Sequence, residues 1–117
     1  MTADKKIDFN FFRYQKYYES HQKLNKNLKV SVVTVTKNSE KFLEENLQSL
    51  KNQTYRNFEH IIIDGKSTDK TVEILKKYSD QIHFWKSETD SSLYEAMNKG
   101  ISKSTGDIIG ILNSDDI

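Results

Sequence analysis

Four short apolar segments, separated by three segments of helical periodicity, constrain the fold of this chain more than any other feature. They are 30–36, 58–64, 82–86 and 108–112. Short runs rich in Val and Ile are typical of strands that are buried on both faces of a sheet. Strands that are joined through helices form right-handed crossovers in a parallel sheet. We therefore predict an α/β fold of order β-α-β-α-β-α-β, with an open, mostly parallel sheet and helices on both faces.

The three intervening segments carry apolar side chains at the spacing of a helix face. The predicted inner faces are Phe42, Leu43, Leu47 and Leu50, then Val72, Leu75 and Tyr78, then Leu93, Met97 and Ile101. Ser39 or Asn38 can cap the first helix, and Gly106 can terminate the third. We predict the spatial strand order third, second, first, fourth, with the reversal between the first and the fourth strand.

Polar residues follow three of the predicted strands at the same edge of the sheet. They are Thr34–Asn38, Asp64–Ser67 and Asn113–Asp116. Ligands of open α/β sheets bind outside the carboxyl ends of the strands, where the strand order reverses. Carboxylate, amide and hydroxyl oxygens suit Mg²⁺ or Mn²⁺, which commonly also hold a substrate's phosphates. The residues alone leave two interpretations open, a cation-assisted nucleotide pocket or a polar turn after a buried strand.

Composition and missing motifs exclude several classes of site. The chain has no cysteine, which excludes a disulfide framework, a thiolate zinc site and a cysteine nucleophile. Its formal net charge of +1 gives no reason to expect a nucleic-acid partner. Neither a phosphate-binding glycine loop nor the G-x-S-x-G of a serine hydrolase occurs. The three histidines are not at ligand spacing, and His60 and His83 are predicted to be structural residues within strands.

Residues 1–28 differ from the rest of the chain and are predicted to form an N-terminal helical extension. Residues 1–29 hold seven lysine or arginine residues against three acids, and six aromatic residues lie within ten positions: Phe9, Phe11, Phe12, Tyr14, Tyr17 and Tyr18. A basic, aromatic helix can lie on an anionic membrane surface. This interpretation places a cytoplasmic protein at the inner face of the membrane, with peripheral contact through residues 5–29. The alternative is a helix that packs on the protein body or on a second copy.

Two long stretches resemble the family 2 glycosyltransferases of GT-A fold, in the branch that builds bacterial surface polysaccharides. The first is VSVVTVTKNSEKFLEENLQSLKNQTYRNFEHIIIDGKSTDKTVEILKKY. The second is ETDSSLYEAMNKGISKSTGDIIGILNSDD, which is similar to the middle section of the family and ends at its D-x-D metal motif. The resemblance covers residues 29–117 and implies a Rossmann-like half-domain that binds a nucleotide-sugar donor.

The resemblance also implies roles for individual residues. The positions that match donor-binding residues are Thr34, Val35, Thr36, Asn38, Asp64, Ser67, Asp90, Asn98, Asn113 and Ser114, and the positions that match metal ligands are Asp115 and Asp116. Gly65 stands where the family commonly has an acid that contacts uracil, so that either Asp64 takes over this contact or base selectivity is altered. Ser92 and Glu95 replace the usual Gly and Asp of the branch.

The reaction implied by the resemblance is inverting sugar transfer assisted by Mg²⁺ or Mn²⁺, with a saccharide or lipid-linked saccharide as acceptor. Inversion needs a general base that deprotonates the acceptor hydroxyl, and in the family this base lies well after the D-x-D motif. We therefore expect the catalytic base beyond Ile117, and donor binding without transfer by these residues alone. A fourth strand without its covering elements would expose apolar surface and favour a homo-oligomer. The alternative function is a non-catalytic remnant or interaction module that retains nucleotide binding.

Overall fold

The computed structural model describes residues 6–8, 28–54 and 56–112, which contain five strands and three α-helices. The strands are β1 (Lys6–Asp8), β2 (Val30–Thr36), β3 (Phe58–Asp64), β4 (Phe84–Ser87) and β5 (Ile108–Ile111). The helices are α1 (Leu43–Lys51), α2 (Thr71–Lys77) and α3 (Leu93–Lys103), with a 3₁₀ turn at Ser79–Gln81. None of the helices in this part of the chain is both long enough and apolar enough to cross a membrane.

The five strands form one sheet in the order β1-β5-β2-β3-β4, and every pairing in it is parallel. The predicted order of the four main strands is confirmed, because β5 pairs with β2 on the side opposite β3. The chain therefore moves outward from β2 to β4, and then returns across the sheet to β5. This reversal between β2 and β5 opens a crevice at the carboxyl edge.

The first strand was not predicted. Lys6, Ile7 and Asp8 pair in parallel with Ile108, Ile109 and Gly110, so that β1 adds an edge strand beyond β5. These three residues thus belong to the sheet, whereas the sequence placed them in a helical extension. The remainder of that extension, residues 9–27 with the six clustered aromatic side chains, lies outside the described residues.

The helices divide between the two faces of the sheet as right-handed crossovers require. Helices α1 and α2 cover one face, where two apolar clusters pack: Val30, Val32, Leu50 and Leu112, and Leu43, Leu47, Ile62, Leu75 and Ile82. Helix α3 covers the other face. It packs over Val33, Ile109 and Ile111, and its Ala96 packs with Ile61 and Ile63 of β3. Strand residues alternate between these clusters because successive side chains point to opposite faces.

Strand β5 is a central strand and is fully covered. Its residues and the following Leu112 are buried, with Ile109 and Leu112 only 1% exposed. The expectation that this strand would expose apolar surface is wrong, because β1 occupies its outer edge and α3 covers one of its faces. The argument for self-association that rested on an exposed fourth strand is therefore removed.

Two of the predicted helix boundaries have a different physical basis in the structure. Helix α3 ends at Lys103 with Ser104 as its C-cap, three residues before Gly106. A Cβ atom on Gly106 would lie 2.8 Å from both the carbonyl oxygen of Lys29 and the amide nitrogen of Ser31. Gly106 is therefore needed for close approach to β2 and does not terminate the helix. At α1, Ser39 contributes its carbonyl oxygen, which accepts from the amides of Phe42 and Leu43, and no side chain caps the helix.

His60 is a buried structural residue, as predicted. Its Nε2 lies 2.8 Å from Thr34 Oγ1, and its backbone amide donates to Nδ1 of His83 at 2.9 Å. Burial, together with the neighbouring His83, lowers the pKa of His60 from 6.5 to about 3. The imidazole is therefore neutral in the folded protein, since an imidazolium ion would be desolvated in the apolar layer beneath α1.

This buried imidazole should make the protein less stable as the pH falls below neutrality. The unfolded chain binds a proton near pH 6.5 and the folded chain only near pH 3. The free energy of unfolding should therefore fall by up to about 1.4 kcal/mol for each pH unit between these two values. Urea denaturation from pH 7.5 to 5.0 measures this slope above the titration of most carboxylates. His60→Gln should reduce the slope, and equal slopes in the unsubstituted protein and His60→Gln would contradict the assignment.

Candidate functional site

A cleft of about 310 Å³ lies at the carboxyl edge of the sheet, between the ends of β2 and β3 and the start of α3. Its lining residues are Val35, Thr36, Lys37, Gly65, Asp90, Ser92, Leu93 and Ala96. Three of them, Val35, Thr36 and Asp90, are among the residues predicted to bind a donor. The cleft lies on the β3 side of β2, whereas the crevice expected from the strand order lies at the reversal between β2 and β5. Its lining combines apolar side chains with one carboxylate and one ammonium group.

Asp64 lies directly at the end of β3 but is fully buried. Its Oδ1 accepts from the hydroxyls of Thr36 and Ser67, each at 2.6 Å. Its Oδ2 accepts from the Ser67 amide at 2.9 Å and from the Ser87 hydroxyl at 2.7 Å. Each carboxylate oxygen thus receives two hydrogen bonds, from donors at the ends of β2, β3 and β4. Asp64 joins the three strand ends that form the cleft, and it holds no oxygen free for a nucleotide base.

The loops after β2 and β3 are tied together by Asn38 and Ser67. The backbone amide of Asn38 donates to Ser67 Oγ at 2.8 Å, and the side-chain oxygen Oδ1 of Asn38 accepts from the backbone amide of Thr68 at 2.8 Å. Asn38 has a φ of 49° and Lys66 a φ of 56°, both in the left-handed region. Asn adopts this region more readily than most residues. Asn38 and Ser67 therefore shape the rim of the cleft through contacts within the chain.

Thr34 does not reach the cleft. Its side chain is buried, points to the face covered by α1 and contacts His60. Two residues farther along β2, Thr36 lies on the same face but at the strand end, where it lines the cleft. The difference follows from the strand rise of about 3.3 Å per residue, which places Thr34 one pleat deeper in the sheet.

Asp90 is the acid that faces the cleft. Its side chain is only 6% exposed, and Oδ1 accepts a hydrogen bond from the Lys99 ammonium. Its other oxygen, Oδ2, is buried and has no hydrogen-bond partner among the described residues. A buried acceptor without a partner costs about 1–3 kcal/mol. The Asp90 side chain therefore forms part of the cleft wall, with one acceptor oxygen that no described residue satisfies.

The start of α3 builds one wall of the cleft around the two residues that depart from the family pattern. Ser92 is the N-cap, and its hydroxyl accepts from the Glu95 amide at 3.2 Å. The Glu95 carboxylate in turn accepts from the amide and the hydroxyl of Ser91, at 3.0 and 2.9 Å. This reciprocal arrangement resembles a capping box. Ser92 and Glu95 thus serve the helix start, and the adjacent Leu93, 61% exposed, borders the cleft.

The remaining predicted site residues fall into two groups. Asn98 is exposed on α3 and does not line the cleft. Asn113, Ser114, Asp115 and Asp116 lie outside the described residues. Leu112 donates its amide to the carbonyl of Val33 at 3.0 Å, so that the chain follows β2 up to that point. Within the residues that the structure describes, no three His, Cys, Asp or Glu side chains are arranged to hold a metal ion.

Lys99 is a site residue that sequence reasoning missed. Its ammonium contacts Asp90, Glu88 and Glu95, and the carboxylates of Asp90 and Glu88 raise its pKa. Only the i, i+4 spacing of Glu95 and Lys99 was visible in the sequence. The contact with Asp90 joins a loop to a helix and depends on how α3 lies on the sheet.

Comparison with known proteins agrees with this architecture. Residues 31–117 match the model of glycosyl transferase family 2. An uncharacterized glycosyltransferase of Mycobacterium tuberculosis is 40% identical over 88 residues, which are 74% of this chain and 34% of that protein. A putative teichuronic acid biosynthesis glycosyltransferase of Bacillus subtilis, TuaG, is 34% identical over 90 residues, again 74% of this chain and 36% of that protein. The chain therefore spans about a third of the length of these relatives.

Solved structures show the same fold. The S. aureus TarS 1-349 structure in complex with UDP-GlcNAc is 29% identical and superposes with a TM-score of 0.69, over 75% of this chain and 27% of that one. The mannosyltransferase PcManGT of Pyrobaculum calidifontis, in complex with GDP-Man and Mn²⁺, has a TM-score of 0.71 at 21% identity, over 89% of this chain and 34% of that one. The predicted GT-A architecture is confirmed, and with the match over residues 31–117 the chain belongs to glycosyltransferase family 2.

Proposed function

We propose that this chain is the donor-binding part of an inverting glycosyltransferase that uses a nucleotide-diphosphate sugar in the synthesis of a bacterial polysaccharide. The acceptor in this proposal is a saccharide or a lipid-linked saccharide. Membership of family 2 supports sugar transfer as the reaction class. The name of TuaG supports polysaccharide synthesis, and the UDP-GlcNAc bound to TarS supports a nucleotide sugar as the donor.

One observation carries the proposal, the Asp90 carboxylate in the wall of the cleft, whose buried Oδ2 has no hydrogen-bond partner among the described residues. A carboxylate oxygen repels phosphate but accepts from hydroxyl and N–H groups. The part of the donor that lies against Asp90 is therefore its sugar ring, its ribose or its base, and the diphosphate lies elsewhere along the edge. Val35, Leu93 and Ala96 offer apolar contact to the flat faces of such rings.

We place the donor's diphosphate beside the residues that follow β5. Asp115 and Asp116 would hold Mg²⁺ or Mn²⁺, and Asn113 and Ser114 would lie next to them. The donor set fits a hard dication, which takes carboxylate, amide and hydroxyl oxygens. The hydrogen bond from Leu112 to Val33 supports this placement, since it directs the chain to the carboxyl edge. A bound dication would neutralise charge on the diphosphate as the glycosidic bond breaks.

In this proposal, different residues of this chain contribute to donor binding in different ways. Asp90 accepts a hydrogen bond from the donor and orients it. Asp64 keeps the ends of β2, β3 and β4 together beneath the donor. Asn38 and Ser67 hold the two loops at the rim in one arrangement. In this proposal their effect on donor binding is indirect, through the shape of the cleft.

Calorimetric titration of the 117-residue protein with UDP- and GDP-sugars in the presence of Mn²⁺ tests the proposal. We expect one class of donor to bind, and Asp90→Asn to weaken its affinity about ten- to a hundredfold, since a hydrogen bond to a charged group contributes about 1.5–3 kcal/mol. Asp80→Asn is the matched control, because Asp80 is exposed and remote from the cleft. Absence of binding heat with every donor tested would contradict the proposal. Equal affinities of the two variants would exclude Asp90 as a donor contact.

A further inference from the structure

We infer that Lys99 is a positioning residue for the donor site, which holds the Asp90 side chain in the wall of the cleft. This inference rests on the proposed donor binding and assigns a role to a residue that does not itself line the cleft. The contacts that carry it lie within one cluster, defined by Lys99 and the three acids Glu88, Asp90 and Glu95.

The geometry of the cluster gives each acid a different relation to Lys99. The ammonium lies 2.5 Å from Glu88 Oε2 and 3.7 Å from Glu95 Oε1, and it donates to Asp90 Oδ1. Glu88 has a second partner in Lys86 at 3.0 Å, and Glu95 has the amide and hydroxyl of Ser91. Among the described residues, Lys99 is the only cation that pairs with Asp90. The position of Asp90 therefore depends on Lys99 more than the positions of the other two acids do.

Electrostatics makes this dependence strong. Three carboxylates converge on one ammonium, and Asp90 is the most buried of them, with 6% of its side chain exposed against 31% for Glu88 and 43% for Glu95. Without the ammonium, like charges would face each other in a partly desolvated site. Asp90 would then turn away from the other carboxylates toward solvent, and its side chain would leave the wall of the cleft.

The constraint on Oδ2 follows from the planarity of a carboxylate. Once Oδ1 is fixed by Lys99, the second oxygen is fixed too, and it is buried at the cleft without a partner. The helix supplies the rigidity, because Gly100, next to Lys99, lies against Val33 of β2 and holds α3 close to the sheet. The position of the loop that carries Asp90 thus depends, through Lys99, on the packing of α3 against the sheet.

Donor affinity in three lysine variants tests the inference. Lys99→Met should weaken binding of the donor at least tenfold, while Lys99→Arg should remain within about threefold, since a guanidinium can still hold two carboxylates. Lys103→Met is the control on the same helix, where Lys103 lies over the Phe84 ring.

The possible outcomes distinguish a failure of this inference from a failure of the proposed function. Equal affinity of Lys99→Met and Lys103→Met for a donor that the unsubstituted protein binds would overturn the positioning role and leave donor binding intact. Absence of binding by the unsubstituted protein would contradict the proposed function instead. In that case, crystal structures of the two Met variants without donor test the inference independently of donor binding. A displaced Asp90 carboxylate in Lys99→Met supports it, and an Asp90 carboxylate unchanged in both variants overturns it.

Discussion

Replacing Gly106 with alanine should destabilise the protein by about 3 kcal/mol, a large share of the stability of a domain of this size. The added Cβ would lie 2.8 Å from two backbone atoms at the start of β2, the Lys29 oxygen and the Ser31 nitrogen. These atoms cannot move aside as the end of a side chain could. The Gly106 amide also donates to Ser31 Oγ at 2.7 Å, and the Asp107 amide to the Lys29 oxygen at 2.7 Å. Any shift that relieves the overlap would weaken these bonds.

Gly65→Ala is the matched control for this prediction. Its Cβ would lie 3.3 Å from Lys37 Cδ, an atom of a flexible side chain, and 3.7 Å from the Thr36 oxygen. We expect a loss below about 1 kcal/mol, since the lysine can adjust. Urea denaturation of both variants, monitored by circular dichroism, measures the difference. Similar midpoints for Gly106→Ala and Gly65→Ala would show that the approach of residue 106 to β2 is not a tight constraint.

Replacing Asp64 with alanine should destabilise the protein by about 4 kcal/mol. The substitution removes the acceptor of four hydrogen bonds and leaves the hydroxyls of Thr36, Ser67 and Ser87 beside a buried void. Because these donors come from three adjacent strand ends, the loss should also loosen the carboxyl edge. We therefore expect hydrogen exchange to accelerate at the ends of β2, β3 and β4, ahead of global unfolding.

Asp64→Asn separates the role of hydrogen bonding from that of charge. An asparagine amide can donate to the Thr36 and Ser67 hydroxyls, which can reverse their direction, while its oxygen accepts from the Ser67 amide and the Ser87 hydroxyl. The expected loss is about 1–2 kcal/mol, mainly the weakening of charge-assisted bonds. Asp80→Ala, at an exposed acid, should change the stability little. Equal stability of Asp64→Ala and Asp80→Ala would disprove the role of Asp64 at the strand ends.

Much of the α/β body could be predicted from local pattern. The β-branched runs at β2, β3 and β5 and the apolar spacing of α1, α2 and α3 correspond to the observed elements. Crossover handedness predicted a parallel sheet with helices on both faces, and the predicted strand order is the one common in doubly wound folds. Strand β1 could not be found in this way, because three residues show no periodicity and its partner β5 is about a hundred positions away.

The edge of the sheet that carries the candidate site could be predicted from the sequence, but the roles of individual residues could be predicted less well. A cleft lies at the carboxyl edge, with the predicted residues Val35, Thr36 and Asp90 in its lining, but on the β3 side of β2 and not at the reversal between β2 and β5. The resemblance assigned Asp64 and Asn98 to a donor, yet Asp64 is enclosed by protein donors and Asn98 is exposed outside the cleft. The metal ligands Asp115 and Asp116 stay a prediction, since both lie outside the described residues.

By itself the sequence determined which segments are strands and helices, in what order they lie, and to which family the chain is similar. Periodicity and motif spacing are local properties, so they can be read along the chain. Only the tertiary structure decided that Lys6–Asp8 completes the sheet, that Asp64 is a buried junction and that Lys99 holds Asp90. These depend on which atoms meet when distant elements pack, because the hydrogen bonds and charges of a side chain are set by neighbours that its own segment does not contain.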